Sequence, residues 1–168
     1  MDDFSRFWIL YNQSFPEDER RSLFYQKLVM SSPSYNLMHL KDEGTYQGFF
    51  CTWDFPEFLY LEHFAVMPEF RCGGNGTRFM KELLEKTEKP VILEVERPES
   101  EITARRVGFY ERLGFCLNYY DYIQPALVPG RKPLPLYIMS YPGSLEPDEY
   151  RACRDVLYDQ VFSLSVAV

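Results

Sequence analysis

The feature that most limits how this chain can fold is an apolar run from Phe58 to Val66 that a glycine-rich segment follows. The run is apolar on both alternating faces except at Glu62 and His63, which is typical of a central strand covered on both sides. Pro68 ends it, and a helix with apolar residues at helical spacing begins near Gly76. The sequence therefore predicts a buried strand, a tight turn and a helix in direct succession.

Helices and strands alternate in the rest of the chain. Two helix-like segments precede a hairpin, and the strand–turn–helix unit is followed by a strand, a helix, two more strands and a last helix. The predicted helices are 4–15, 19–30, 101–113 and about 146–162, and the predicted strands are 35–41, 46–53, 91–95, 115–123 and 136–141. We see neither a repeat nor a linker, so we predict one domain over 1–168, of class α/β (α+β), with its core at about 4–142.

Charge and cysteine content exclude several kinds of protein. The 168 residues carry 25 acidic and 18 basic side chains, a formal net charge of −7. Phosphate backbones and anionic lipids repel such a chain, so we expect no nucleic-acid and no membrane partner. The four cysteines never stand as Cys-x-x-Cys and there are two histidines, so we predict no metal site. We see no secretory signal and no long apolar stretch, and we expect a cytoplasmic protein.

The turn from Arg71 to Gly76 carries the first chemical signal. Its glycines permit backbone conformations that a side chain would block, and the following helix places free N–H groups at its positive end. Such a turn can bind an anion, typically phosphate. It lacks the lysine of a Walker loop and the Gly-x-Gly-x-x-Gly of a Rossmann fingerprint, so taken alone it is equally well a plain tight turn.

Two separate blocks resemble the GNAT superfamily of acyl-CoA-dependent N-acetyltransferases. In the first, the apolar strand and a Val-x-Pro turn lead to Arg71, Gly74 and Gly76, which match the family's Gln/Arg-x-x-Gly-x-Gly/Ala. In the second, Phe-Tyr-Glu-Arg-Leu-Gly-Phe at 109–115 matches a helix that ends in Phe-Tyr-x-x-x-Gly-Phe. The resemblance implies a GNAT fold, a central mixed and mostly antiparallel sheet with one splayed parallel strand pair, flanked by helices. It also implies N-acetyltransferase activity with acetyl-CoA as co-substrate.

The resemblance further implies where acetyl-CoA lies. The strand that ends near Val66 and strand 91–95 would splay around it, the backbone of 64–66 would hold the pantetheine arm, and the amides of the glycine turn would hold the pyrophosphate. Thr103 stands where many members have asparagine, and Arg106 is either a phosphate contact or a solvated helix charge. The implied cofactor-binding residues are Phe64, Ala65, Val66, Arg71, Cys72, Gly73, Gly74, Asn75, Gly76, Thr77, Arg78, Thr103 and Arg106.

The reaction implied is direct attack of a neutral amine on the thioester, in a ternary complex without an acyl-enzyme. Tyr110 matches the family position of the acid that protonates the departing thiolate. Glu62 is the predicted base, because a charged side chain on a central strand needs a partner or a cleft. Glu94, Glu96 and a water relay are alternatives for the base. Strand alternation predicts that His63 faces away from Glu62 and is a structural residue.

The acceptor implied is a primary amine of a small molecule or a peptide. The family builds its acceptor pocket near the N-terminal helices and Tyr119, Tyr120 and Tyr122, of which alternation predicts that Tyr119 faces the other way. A homodimer through the proline-rich loop, the last strand or the last helix is possible. A non-catalytic acyl-CoA-binding or sensing module is the main alternative, and an interaction domain with a purely structural glycine turn is a second one.

Overall fold

The computed structural model describes residues 1–163, and the end of the predicted domain, 164–168, lies outside the described residues. Helices and strands alternate along the chain as the sequence pattern predicts. The helices are α1 Asp3–Ser14, α2 Leu23–Val29, α3 Asn75–Lys86, α4 Glu101–Arg112 and α5 Pro147–Val156, and the strands are β1 Tyr35–Asp42, β2 Thr45–Asp54, β3 Leu59–Val66, β4 Val91–Glu96, β5 Cys116–Gln124 and β6 Leu134–Tyr141. A π-helical turn, Leu157–Phe162, continues α5.

The strands form one six-stranded sheet in the order β1-β2-β3-β4-β6-β5. All neighbouring pairs are antiparallel except β3 and β4, which are parallel. This is the mixed, mostly antiparallel sheet with one parallel pair that the resemblance implies. The crossover between the parallel strands contains the glycine turn and α3.

Helices cover both faces of the sheet. On one face, residues of α1, α2 and α5 pack with Trp53, Tyr60, Tyr122 and Ile138 in a core cluster. On the other face, residues of α3 and α4 pack in a second cluster with apolar residues of β3 and β4: Leu59, Leu61, Val66, Val91, Leu93 and Val95. We call these the α1 face and the α4 face. The two-sided burial explains why β3 reads as an apolar run on both faces.

The second helix begins four residues later than the sequence predicts. Glu17–Glu19 form a short 3-10 turn, and α2 starts at Leu23 because the Ser22 hydroxyl accepts the backbone N–H of Tyr25. The predicted boundaries of α4 are accurate: Ser100 caps its start, and Gly114 follows its end with a φ of +96°. The segment between α1 and α2 is therefore an extended connection, and it lies beside the cleft described below.

The outer edge of β5 is covered by the C-terminal helical segment. The hydroxyls of Tyr150 and Tyr158 donate hydrogen bonds to the backbone carbonyls of Asp121 and Ile123. These hydroxyls thus occupy backbone carbonyl groups of β5 that could otherwise pair with a strand of another chain. Of the helices within 1–163, none is long and apolar enough to cross a membrane.

Candidate active site

The parallel strands β3 and β4 separate part-way along their length. They pair only from Leu59 to Leu61 and from Val91 to Leu93. The first residues beyond the paired segment are Glu62 on β3 and Glu94 on β4. A cleft of about 380 Å³ opens there, and it is lined by residues of both strands, of α4 and of the segment after α1. Because Glu94 lies on the α1 face and α4 on the other, the cleft connects the two faces of the sheet.

A bulge in β3 determines which side chains face this cleft. Cys51 of β2 opposes His63, and the next residue, Thr52, opposes Leu61, so Glu62 is an additional residue in β3. An inserted residue interrupts the alternation of a strand. The expectation that His63 faces away from Glu62 is therefore wrong. The His63 ring packs on the α1 face against Tyr11 and Phe15, at centroid distances of 4.9 and 4.6 Å.

Glu62 is held in a buried ion pair. Its Oε1 lies 2.6 Å from Nη1 of Arg21, and neither side chain is more than 1% exposed. The indole N–H of Trp53 donates to Oε2 at 3.1 Å, and Nδ1 of His63 lies 3.8 Å from that oxygen. Burial by itself raises the pKa of a carboxyl, but here Arg21 and His63 outweigh it and lower the pKa of Glu62 to about 2.

Glu94 has neutral partners instead. Its Oε1 accepts hydrogen bonds from the Tyr60 hydroxyl and, at 3.0 Å, from the Gln124 side-chain amide. Its Oε2 is buried and has no hydrogen-bond partner among the described residues. Burial raises the pKa of Glu94 above the usual value, against these hydrogen bonds, and the charge of Glu62 adds to the rise. Glu94 thus has a raised proton affinity and only neutral donors beside it, because the Tyr122 hydroxyl also interacts with this carboxylate and lowers its pKa.

Tyr110 reaches the same cleft from the last turn of α4. Its ring packs edge-on against Phe109 and Phe115, at 5.1 and 5.6 Å. Burial raises the pKa of Tyr110 to about 12, and the positive charge of Arg106 opposes the rise. The phenol is therefore protonated at neutral pH and is able to donate a proton within the cleft.

The glycine turn continues from the end of β3. Gly74 is the N-cap of α3 with a φ of +79°, and Cys72 also has a positive φ of 64°. Nε of Arg71 donates to the Val66 carbonyl at 2.8 Å, which ties the turn back to the strand. No atom lies within 4 Å of where a Cβ on Gly74 would be. The start of α3 is therefore open to an approaching anion.

Comparison with known proteins decides the family. A family model described as the acetyltransferase (GNAT) family matches residues 2–115. A solved structure from Bacteroides thetaiotaomicron, described only as a GNAT-family acetyltransferase, is 37% identical, covers 95% of this chain and 91% of that chain, and has a TM-score of 0.88. The chain belongs to the GNAT acetyltransferase family. It is accordingly an acyltransferase, and acetyl-CoA is its co-substrate.

More distant GNAT structures share the fold. The ribosomal-protein-S18-alanine N-acetyltransferase from Escherichia coli is 22% identical, with 88% of this chain and 91% of that chain covered and a TM-score of 0.60. A GNAT acetyltransferase from Elizabethkingia anophelis, solved with acetyl-CoA bound, is 17% identical, with 79% and 88% covered and a TM-score of 0.56. Among curated proteins, none matches the chain.

The residues predicted from the GNAT resemblance lie in three places. Seven of them line the cleft: Glu62, Phe64, Ala65, Val66, Arg71, Arg106 and Tyr110. Seven more form the turn and the first residues of α3: Cys72, Gly73, Gly74, Asn75, Gly76, Thr77 and Arg78. Thr103 lies in a neighbouring cleft, where its hydroxyl accepts the backbone N–H of Ser100 as part of the α4 cap. All of these assignments remain predictions.

Two of the predicted basic contacts already have acidic neighbours. Nη1 of Arg106 lies 2.5 Å from Oε1 of Glu96, and Nη2 of Arg78 lies 3.3 Å from Oδ2 of Asp42. Within residues 1–163, no group of three or more His, Cys, Asp or Glu residues is placed to hold a metal ion.

The structure adds residues that sequence patterns did not indicate. Arg21 reaches Glu62 from the connection between α1 and α2, and Gln124 reaches Glu94 from the end of β5. Phe15 and Glu19 line the cleft, whereas Tyr119, Tyr120 and Tyr122 do not. Tyr119 packs against Tyr137, and Tyr120 stacks on Tyr150, so these two rings do face opposite ways as predicted. No sequence motif around Arg21 identifies it as a site residue, because its partner Glu62 lies far away in the sequence.

Proposed function

We propose that this chain transfers an acetyl group from acetyl-CoA to a primary amine of a small molecule or a peptide, by direct attack in a ternary complex. The observation that carries the proposal is the separation of β3 and β4 at Leu61 and Leu93, which brings Glu94 and Tyr110 to one cleft. One of these groups has a raised proton affinity and the other is a buried phenol. This is the pair that a proton-coupled acyl transfer requires.

Acetyl-CoA fits the open edge of β3. Beyond Leu61 the described residues of β4 do not pair with β3, so the backbone of 62–66 has unpaired groups on that side. A pantetheine amide chain can pair with them as an added strand does. The pyrophosphate would lie at the start of α3, where the positive end of the helix and the unblocked Gly74 meet. Arg71, whose side chain bridges the turn and Val66, stands at the junction between the two.

We assign the base to Glu94 rather than to Glu62. A carboxylate with a pKa of about 2 that is already paired with a guanidinium is a weak proton acceptor. Glu94 has a raised pKa, no ion pair with a cationic side chain among residues 1–163, and one oxygen that lacks a hydrogen bond there. A neutral acceptor amine can donate a hydrogen bond to this carboxylate, and its nitrogen transfers one proton to Glu94 as it bonds to the thioester carbon.

Tyr110 completes the proton balance. As the amine nitrogen bonds to the thioester carbon, the carbon–sulfur bond breaks and the sulfur needs a proton. The Tyr110 phenol, with a pKa of about 12, is protonated at neutral pH and so carries the proton that the sulfur needs. The proton taken up by Glu94 and the one given by Tyr110 leave the net charge of the pair unchanged through the reaction.

The acceptor side of the cleft is formed by Phe15, Glu19 and Gln124. The carboxylate of Glu19 favours a positively charged amine, and Phe15 offers an apolar surface. The E. coli neighbour is named for acting on alanine of a ribosomal protein, which supports a peptide amine as one acceptor class for this chain. A cleft that is open at this end accepts either a peptide terminus or a small amine.

The proposal is tested by thiol release from acetyl-CoA with a panel of amines and peptides. We expect release with at least one acceptor, and a fall in kcat of roughly 10²-fold or more in Tyr110→Phe with acetyl-CoA affinity kept. Tyr119→Phe is the matched control, since Tyr119 is 75% exposed and does not line the cleft. Acetyl-CoA binding without release across the panel would support a sensing module instead, and equal activity of both variants would remove Tyr110 from its role.

A further inference from the structure

Arg21 is an unusual residue to find fully buried at an active-site wall. Its side chain is 0% exposed, and its guanidinium lies 2.6 Å from Glu62 and 6.0 Å from the centre of the Trp53 ring. Its backbone N–H donates to the Tyr11 hydroxyl at 2.7 Å. Nε and Nη2 of the same side chain have no hydrogen-bond partner among the described residues. Buried donors without partners oppose folding, so this ion pair is not an arrangement that stability alone favours.

The connection that carries Arg21 also forms the acceptor side of the cleft. Nε2 of His63 donates to the Glu19 carbonyl at 2.7 Å, and Arg131 donates to the carbonyls of Glu17 and Arg20. Two anchors, one from β3 and one from the β5–β6 connection, thus fix this segment beside the bulge. Arg21 therefore reaches Glu62 from the α1–α2 connection, the same segment that an acceptor in the cleft would contact.

The position of Glu62 makes its charge relevant to Glu94. The two glutamates follow the same short paired segment on neighbouring strands, and both contact residues of the α1 face cluster. A carboxylate facing another carboxylate raises its proton affinity. The charged and titratable groups around Glu94 come from six parts of the chain: Tyr60, Glu62 and His63 of β3, Glu96 of β4, Tyr122 of β5, Tyr158 of the π-helical turn, Arg106 and Tyr110 of α4, and Glu19 and, through Glu62, Arg21 of the α1–α2 connection.

We propose that Arg21 is a positioning residue for acetyl transfer: it neutralises Glu62, so that Glu94 works as the base without a second free carboxylate beside it. This inference rests on the proposed function, in which Glu94 accepts the proton of the amine. It explains why the chain keeps a buried and incompletely bonded guanidinium next to the opening of the strands. It also explains why Arg21 lies on the α1–α2 connection. This one segment then forms the acceptor side of the cleft and also balances the charge of Glu62.

The test is the pH dependence of kcat/KM, whose fall at low pH reports the base in the free enzyme. In Arg21→Met, Glu62 and Glu94 titrate as a coupled pair, and we expect the acidic limb to move to higher pH by on the order of one unit. In Glu62→Gln the unpaired guanidinium remains, and the limb should move to lower pH. In Arg21→Met/Glu62→Met both charges are gone, and the limb should return toward the wild-type position. Arg21→Lys keeps the charge and should leave the limb where it is.

Opposite shifts in the two single variants are the result that a merely structural role cannot produce. If both shift in one direction, or neither shifts, Arg21 has no such role. If Arg21→Met does not fold, Glu62→Gln still carries the sign of the effect, and an unmoved limb there overturns the inference. Failure of the proposed function looks different: the wild type then acetylates no amine of the panel, or Glu94→Gln keeps the wild-type acidic limb.

Discussion

Glu62 and Glu94 are the same residue type, on the same face of the sheet, at equivalent places on neighbouring parallel strands. One has a pKa lowered to about 2 and the other a pKa raised above the ordinary value. Burial raises both, so burial does not explain the difference. The partners do: Glu62 meets the guanidinium of Arg21, whereas Glu94 meets a phenol and an amide. The position on the strand therefore does not determine whether a buried carboxylate has a lowered or a raised pKa. The side chains packed against it do.

The largest expected effect is on folding stability. Glu62→Gln leaves the Arg21 charge buried without its partner, and we expect a loss of about 3–5 kcal/mol in the free energy of unfolding. Glu94→Gln leaves no charge unpaired and keeps an oxygen for Tyr60 and Gln124, so its stability at pH 7 should stay within about 1 kcal/mol of the wild type. Urea unfolding of both variants measures this difference. Equal losses would mean that the two carboxylates are not distinguished by their partners.

A second prediction concerns the pH dependence of stability. The folded-state pKa of Glu62 lies below its ordinary value of 4.5, so its contribution is present above about 4.5 and is lost as the pH falls toward about 2. The loss is on the order of 3 kcal/mol. The raised pKa of Glu94 acts in the opposite sense: its contribution is full below about 4.5 and is lost as the pH rises through its folded-state pKa.

Urea unfolding between pH 3 and pH 8 separates the two contributions. Glu94→Gln should remove the gain in stability that the wild type shows as the pH falls toward 4.5. Arg21→Met/Glu62→Met should remove the loss below 4.5, because no buried ion pair is left to protonate. A wild-type profile that is flat below 4.5 would contradict the assignment of the low pKa to Glu62.

The contrast between these glutamates also shows what the sequence could predict. Apolar periodicity and Pro and Gly positions predicted all six strands, because these features are local in the chain, whereas the parallel pair and its splayed end were implied by the GNAT resemblance. The bulge at Glu62 could not be predicted, since one inserted residue leaves the composition of the strand unchanged and yet turns His63 to the other face. The ion pair joins positions 21 and 62, and nothing in the neighbourhood of either residue identifies the other.

The candidate site divides in the same way. Tyr110 and the glycine turn belong to continuous motifs, and the structure places them where those motifs imply, at the end of α4 and the start of α3. The choice between Glu62 and Glu94 depends on side chains from four different elements. Likewise, α2 begins at Leu23 because Ser22 caps it. Residues 19–22, which the sequence predicts to be helical, therefore belong to the connection that carries Glu19 and Arg21.

The smallest expected effect comes from the neutral partner of Glu94. Tyr60→Phe removes the hydroxyl that donates to Oε1, and because that bond favours the ionised form, its loss should raise the pKa of Glu94 further. We expect a stability loss of about 0.5–1.5 kcal/mol and an acidic limb of kcat/KM displaced to higher pH. Tyr46→Phe is the matched control, since the Tyr46 hydroxyl is equally buried in the sheet but has no hydrogen-bond partner among residues 1–163. If the limb does not move in Tyr60→Phe, or moves as far in Tyr46→Phe, then the hydrogen bonds around Glu94 do not set its proton affinity, and the difference from Glu62 would have to come from Arg21 alone.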